Sequence, residues 1–327
     1  MMLQVSSSPH IRDTATSRRL MLDVIIALIP AIAAAIYVFG SSALVVVLVT
    51  TGTAVLFEFI SRKVMKRYNS ISDLSAVVTG LLLALNLPPT IPLWMAAVGS
   101  FIAIVVVKQM FGGIGQNFVN PAMAARVILT ISYPAAMTRW AVMESRLFEA
   151  AAPATDAVST AIGSDLVSTA TPLYLLQTSS EMPTYLELFL GMKGGCLGEI
   201  SIAALLIGVI YLVIRKVITL WLPLTYIGTV AVLTALGGQD PLYHVLSGGL
   251  FLGAFFMATD YVTSPLTRKG KIIFGLGCGI ITSLIRLFGG MTEGVSFSIL
   301  LMNIVTPHID RWTMPVPFGG GLKNAER

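Results

Sequence analysis

Charge is what this sequence has least of. Only 11% of its 327 residues are Asp, Glu, Lys or Arg, against about a quarter in a soluble domain. That scarcity excludes a water-solvated surface over most of the chain. With 55% hydrophobic residues and a mean hydropathy of +0.84, most of its length must sit in lipid. Backbone in lipid has to satisfy its own hydrogen bonds, which leaves helices or a closed barrel. The apolar runs are continuous rather than alternating and about 15 to 22 residues long, so the expected class is an all-α polytopic membrane protein.

Other scarcities remove further chemistry. The two cysteines, Cys196 and Cys278, are too few for a disulfide framework or an iron–sulfur centre and read as small packing residues. The three histidines, His10, His244 and His308, have no metal-ligand spacing. No phosphate-binding glycine loop stands beside a strand, so no nucleotide fold is expected. The net charge of +5 comes from short basic clusters between apolar runs. That is a topology signal rather than a nucleic-acid footprint, and the lipid bilayer is the partner that composition requires.

The runs predict about ten spans: Leu20 to Phe39, Ala43 to Ile60, Leu74 to Leu87, Leu93 to Met110, a short fifth ending near Tyr133, Leu197 to Ile214, Ile218 to Leu236, Tyr243 to Ala258, Ile272 to Leu287, and a tenth ending near Val305. The polar start with Arg12, Arg18 and Arg19 leads into a run long enough to span, so it reads as an uncleaved first helix. Three blocks follow: 1–133 with an N-terminal segment and helices one to five, a polar loop at 134–195, and 196–327 with helices six to ten and a tail. An even span number puts both termini on one side. If that side is the cytoplasm, the Arg62–Arg67 cluster, Lys108, Arg215-Lys216, Arg268–Lys271 and the tail all fall inside, while the opposing turns at 40–42, 88–89, 237–240 and 289–294 lack Lys and Arg. The long loop then faces outward. Phe111-Gly-Gly113 is echoed by Phe288-Gly-Gly290, and Asn117-Phe-Val-Asn-Pro121 by Asn303-Ile-Val-Thr-Pro307. Two halves of five spans would be inverted repeats, an architecture that places ligand sites at interrupted helices between the halves.

Within the loop, Asp165-Leu-Val-Ser-Thr-Ala-Thr-Pro172 has a near copy upstream, Asp156-Ala-Val-Ser-Thr-Ala-Ile162. The second copy ends in the hydroxyl of Thr171 and the first in Ile162. An ordinary Ser/Thr-rich loop explains both. A covalent attachment point also explains them, with Thr171 as the nucleophile, activated by an attaching enzyme. Ser168, Thr169 and Ala170 would supply an extended, accessible strand, and Pro172 would block a helix across the site. Gly112–Pro121 is either a plain glycine-rich turn or a break whose amides, Asn117 and Asn120, meet a heteroaromatic edge. Asp260 is either a solvated carboxylate at a helix end or a partner at the same place, in mirror relation to Asp73. Arg126, at membrane depth in the fifth span, needs a carboxylate or an anion such as a cofactor phosphate, and Arg286 has the same choice. Glu58 reads as snorkelling toward the basic cluster.

The loop motif resembles the flavinylation motif of the NqrB/RnfD family of membrane flavoproteins, whose last threonine carries FMN as a phosphoester. Gly112-Gly-Ile-Gly-Gln-Asn-Phe-Val-Asn-Pro-Ala122, Ser72-Asp-Leu-Ser-Ala-Val-Val-Thr-Gly80 with Leu87-Pro-Pro89, Ala258-Thr-Asp-Tyr-Val-Thr-Ser-Pro265 and Glu293-Gly-Val-Ser-Phe-Ser-Ile-Leu-Leu-Met-Asn303 are similar to its other motifs, in order along nearly the whole chain. The short N-terminus is closer to the RnfD type. One departure stands out: Thr169 occupies the family's usual glycine position. The resemblance implies a flavin-carrying membrane subunit of an Rnf-type complex, which moves electrons between ferredoxin and NAD coupled to Na+ or H+ translocation. The ferredoxin and NAD sites would lie on sister subunits, and a flavin transferase would mature this one. It implies FMN covalently bound at Thr171, a second, non-covalent flavin (riboflavin or FMN) near Asn117, Asn120 and Asp260, with Arg126 a further candidate, and a bacterial or archaeal cell membrane. The rival class is a channel or secondary transporter with inverted repeats and no covalent flavin.

Overall fold

The structure, a computed structural model, describes residues 16–68, 70–143, 166–169, 172–173, 183–191, 194–289 and 294–315. It is helical almost throughout. The helices are α1 (Ser17–Phe39), α2 (Ser41–Val64), α3 (Ser75–Leu85), α4 (Leu93–Phe101), α5 (Pro121–Ser132), the single turn α6 (Pro134–Met137), α7 (Tyr185–Leu190), α8 (Ile202–Ile214), α9 (Trp221–Leu236), α10 (Pro241–Leu246), α11 (Leu250–Leu252), α12 (Arg268–Phe288) and α13 (Val295–Thr313). Among the described residues three helices, α1, α2 and α12, are each long and apolar enough to cross a membrane, and α3, α5, α8, α9 and the α4 segment are shorter apolar helices. A multi-pass helical membrane protein fits this pattern.

The helices are apolar on both faces because they answer to two apolar surroundings. In α1 the positions Asp23, Ala27, Ala31, Ala35 and Phe39 repeat every four residues and are buried against the bundle. Leu22, Ile29 and Tyr37 on its other side are exposed, as a lipid-facing surface requires. Small residues set the closeness of packing. A Cβ on Gly208 of α8 would lie 2.0 Å from the Ala27 carbonyl oxygen of α1, so that crossing tolerates no side chain.

Two expected spans are interrupted. The third shortens to the 11 residues of α3, about 16 Å of helix and roughly half the hydrocarbon thickness. It stops where Asn86 Nδ2 folds back onto the Leu82 carbonyl at 2.6 Å and two prolines follow. The eighth divides into α10 and α11, the latter continuing as a π-helix over Gly253–Met257. Gly248 at the break has φ +65°, a left-handed conformation open to glycine at little cost. Arg286 of α12 closes the break by donating to the carbonyls of His244 (2.6 Å) and Ser247 (3.2 Å). The α4 segment also passes into a π-helix, Ile102–Gln109, and α13 runs beyond the expected Val305 to Thr313, with Pro307 inside it.

The described part of the polar loop departs from helix. Trp140–Met143 (β1) pairs antiparallel with Leu166–Thr169 (β2), Trp140 opposite Thr169. Downstream, α7 has a Thr184–Glu187 capping box, and the Tyr185 hydroxyl donates to Asp240 Oδ2, fixing the loop to the α9–α10 turn.

Candidate functional site

The motif residues far apart in sequence meet in one cleft, about 840 Å³ of empty space including its open mouth. Its polar lining includes Ser75, Lys108, Asn117, Asn120 and Asp260, and Phe255, Phe256, Leu20 and Leu82 are among its apolar walls. A mostly apolar cleft with a few convergent polar groups is the usual form of a small-molecule site. Both π-helices border it, and such distortions of the helical ladder recur at functional sites.

Each polar group has a local cause. Asn120 is the N-cap of α5, its Oδ1 accepting from the amides of Ala122 (3.0 Å) and Met123 (3.3 Å), with Pro121 at the first helical position. Its Nδ2 donates to the Met257 carbonyl at 3.3 Å. The amide of Asn120 therefore ties α5 to the second π-helix, and its role is to shape the cleft. Asn117 Nδ2 donates to the Val119 carbonyl at 3.0 Å. Asn303 of α13, with its side-chain amide oriented to match its neighbours, accepts from the backbone N–H of Asn120 at 3.0 Å and donates to the Thr263 carbonyl at 3.2 Å. The two stretches of the internal echo, Asn117–Pro121 and Asn303–Pro307, are thus in contact through Asn120 and Asn303. Asp260 lies beyond the end of the eighth span and accepts from Thr263 Oγ1 (3.2 Å) and the Val262 amide (3.4 Å). Burial pushes its carboxyl above the usual carboxylate range, against these donors.

Glu58 is the residue that sequence reasoning misplaced, and Lys108 is the partner it did not assign. Glu58 does not snorkel: it is fully buried. It binds Lys108 Nζ through Oε2 at 2.8 Å and accepts from Ser70 Oγ through Oε1 at 2.6 Å. Lys108, near the end of the expected fourth span, is buried too, and its ammonium also donates to Ser75 Oγ at 2.6 Å. Burial of one charge called for the other; the signal in sequence was two opposite charges near the ends of the second and fourth apolar runs.

Arg126 is outside this cleft. It occupies a second polar cluster at the other end of α3, where Nη1 donates to Asn86 Oδ1 at 2.6 Å and Nη2 lies 3.6 Å from Glu199 Oε1 and 3.4 Å from Cys196 Sγ. Cys196 in turn donates to the Asn86 carbonyl at 3.2 Å. Of the two partners expected for Arg126, the structure supplies the carboxylate.

Thr171 lies outside the described residues, as do Asp165 and the upstream near copy. The neighbouring segments are described. Leu166–Thr169 is extended, and Leu173 is buried. A Cβ on Gly248 would lie 3.0 Å from Leu173 Cδ1 and 2.7 Å from Arg286 Nη2, so Leu173 and Arg286 share the α10–α11 break. Thr90, just past the end of α3, donates to the Arg139 carbonyl at 3.2 Å. The loop therefore adjoins the end of α3 opposite the cleft.

The model of the NQR2, RnfD, RnfE family matches residues 4–319. The chain belongs to this family. It is 50% identical over 321 residues to the D-type subunit of the Na+-translocating ferredoxin:NAD+ oxidoreductase complex of Acetobacterium woodii, covering 97% of this chain and 95% of that one. It is 46% identical to the proton-translocating counterpart of Clostridium ljungdahlii, with 96% of each covered. It is 36% identical to the D-type subunit of the ion-translocating oxidoreductase complex of Escherichia coli O157:H7, over 98% of this chain and 99% of that one. These relatives are subunits of a redox-driven, ion-translocating enzyme complex of bacterial membranes.

Proposed function

We propose that this chain is the D-type flavin-carrying subunit of an Rnf complex. In this reading it holds FMN as a phosphoester on Thr171, on the outer side of the membrane, and a second, non-covalent flavin (riboflavin or FMN) in the cleft of Asn117 and Asp260. About ten spans in two inverted halves, with both termini in the cytoplasm, complete the arrangement. Bound flavin supplies the electron-transfer chemistry, and the chain supplies position and electrostatics. Asn117 and Asp260 offer polar partners to a ring edge, Asn120 holds the wall between α5 and the second π-helix, and Phe255 and Phe256 give the ring an apolar bed. Sister subunits would bring the ferredoxin and NAD sites, and a flavin transferase would attach the FMN.

The observation that carries this reading is the convergence of Asn117, Asn120 and Asp260, drawn from widely separated stretches, on one cleft. The residues suit an uncharged heteroaromatic ring. The loop motif supports the covalent half: Leu166–Thr169 is extended, and Pro172 and Leu173 on the far side of Thr171 are buried.

The rival reading, a channel or secondary transporter, draws on the interrupted α3 and α10–α11. Flavin separates the two. The chain, co-expressed with a flavin transferase, is expected to give a denatured gel band that fluoresces yellow under ultraviolet light, and Thr171→Val is expected to abolish it. A dark wild-type band contradicts the flavin reading; fluorescence that survives Thr171→Val contradicts the residue assignment alone.

A further inference from the structure

The Glu58–Lys108 pair is expensive. A buried ion pair recovers its desolvation cost only with excellent geometry and further hydrogen bonds. Here the pair stands at the wall of the cleft and continues outward as an unbroken chain of short contacts. An ammonium has three N–H donors. Lys108 Nζ uses one on Glu58 Oε2 (2.8 Å) and one on Ser75 Oγ (2.6 Å), which leaves a third for the cleft that the residue lines. Behind it, Glu58 Oε1 accepts from Ser70 Oγ at 2.6 Å, and Ser70 is half-buried, at the edge of the basic cluster. A second branch runs from Ser75 Oγ to Asp73 Oδ1 at 2.6 Å, and Asp73 is also half-buried.

We propose that Lys108 delivers the proton that accompanies reduction of the flavin in this cleft, with Glu58 and Ser70 as its resupply route. This rests on the reading of the cleft as a flavin site. An electron arriving from a reduced carrier of the complex adds negative charge to the ring. A Lys108 N–H bond breaks and its proton passes to the ring, leaving a neutral amine. The amine takes a proton through Glu58, whose carboxylate receives one from the Ser70 hydroxyl, and Ser70 regains one from water. The balance per electron is one proton drawn from the face that carries the basic cluster. The arrangement has what a purely structural pair lacks: Lys108 lines the cleft with two of its three donors engaged, and the relay behind it ends at half-buried Ser70.

The test uses the full chain in detergent with Thr171→Val, so that the non-covalent flavin is the only one present, and compares it with added Lys108→Met, Lys108→Arg and Glu58→Gln. Flavin content is read by acid extraction, and protonation of the ring by its absorbance change after flash photoreduction. Arginine keeps the charge and cannot give up a proton at ordinary pH. Lys108→Arg is expected to retain flavin yet slow the protonation phase at least tenfold. Lys108→Met is expected to slow it as much, and Glu58→Gln to slow it after the first turnover. Wild-type protonation rates in a flavin-loaded Lys108→Arg or Lys108→Met protein would overturn the proposal, and loss of flavin from both would reduce Lys108 to a binding residue and overturn it too. Absence of extractable flavin before any Lys108 change would overturn the cleft reading itself.

Discussion

Asn86 and Arg126, forty positions apart, meet at 2.6 Å between Oδ1 and Nη1, at the end of α3 remote from the cleft. The contact joins the interrupted third span to the fifth, and Glu199 answers the remaining charge of Arg126. Removing one partner of a buried pair leaves the other uncompensated, at a cost of about 3 to 5 kcal/mol. Arg126→Met is expected to lower the thermal midpoint of the detergent-solubilised protein accordingly. Arg126→Met with Glu199→Gln is expected to recover part of the loss, because both charges are then gone. Additive losses in the double variant would show that the pair is not coupled.

A second polar knot holds α9, α12 and α13. The Tyr226 hydroxyl lies 2.7 Å from Thr282 Oγ1 and 2.8 Å from Ser298 Oγ, and those two are themselves 2.8 Å apart. Tyr226→Phe leaves the Thr282–Ser298 contact in place, so the expected loss is small, about 1 kcal/mol. Thermal unfolding should place it well below Arg126→Met.

The Ala27–Gly208 contact leaves no room for a side chain. Gly208→Val is expected to separate α1 from α8 and cost at least the roughly 1 to 3 kcal/mol of an overpacked core. Reduced yield of folded protein on size-exclusion chromatography is the readout, with Gly228→Val as control, since a Cβ at Gly228 meets nothing within 4 Å.

How far the sequence revealed this depended on what each residue answers to. The apolar runs answer to lipid, so membrane helices were legible from composition. The cleft was legible as well: Asn117, Asn120 and Asp260 stood in Gly- and Pro-marked breaks, and they converge. The end of span three was read two residues late, at Leu87 rather than Leu85; the break in span eight was not placed, because Ser247–Gly249 is too short a dip in hydropathy to divide a span and Arg286, which closes it, lies on a distant helix. Glu58 was misread for a similar reason. A carboxylate at a span end is usually solvated, and only the packing of α2 against the first π-helix brings Lys108 to it. Arg126 was open between two partners until Glu199 and Asn86 could be seen beside it.

The loop offers a pH-dependent contact. The Tyr185 hydroxyl bonded to Asp240 holds that carboxyl below the usual carboxylate range. A depressed carboxylate pKa stabilises the folded form above the unfolded value, and the contribution is lost as pH falls through the folded value. Limited proteolysis of the loop is expected to accelerate at acid pH in the wild type. In Tyr185→Phe it should be faster already at neutral pH and less sensitive to acid.

The central claim is a flavin phosphate on one hydroxyl. Mass spectrometry of the peptide that spans Asp165–Pro172, from protein matured with a flavin transferase, tests it most directly. The account predicts the added mass of FMN on that peptide, localised by fragmentation to Thr171 and absent from the Asp156–Ile162 copy. An unmodified peptide under those conditions, with Thr169 in the family's glycine position, would contradict it.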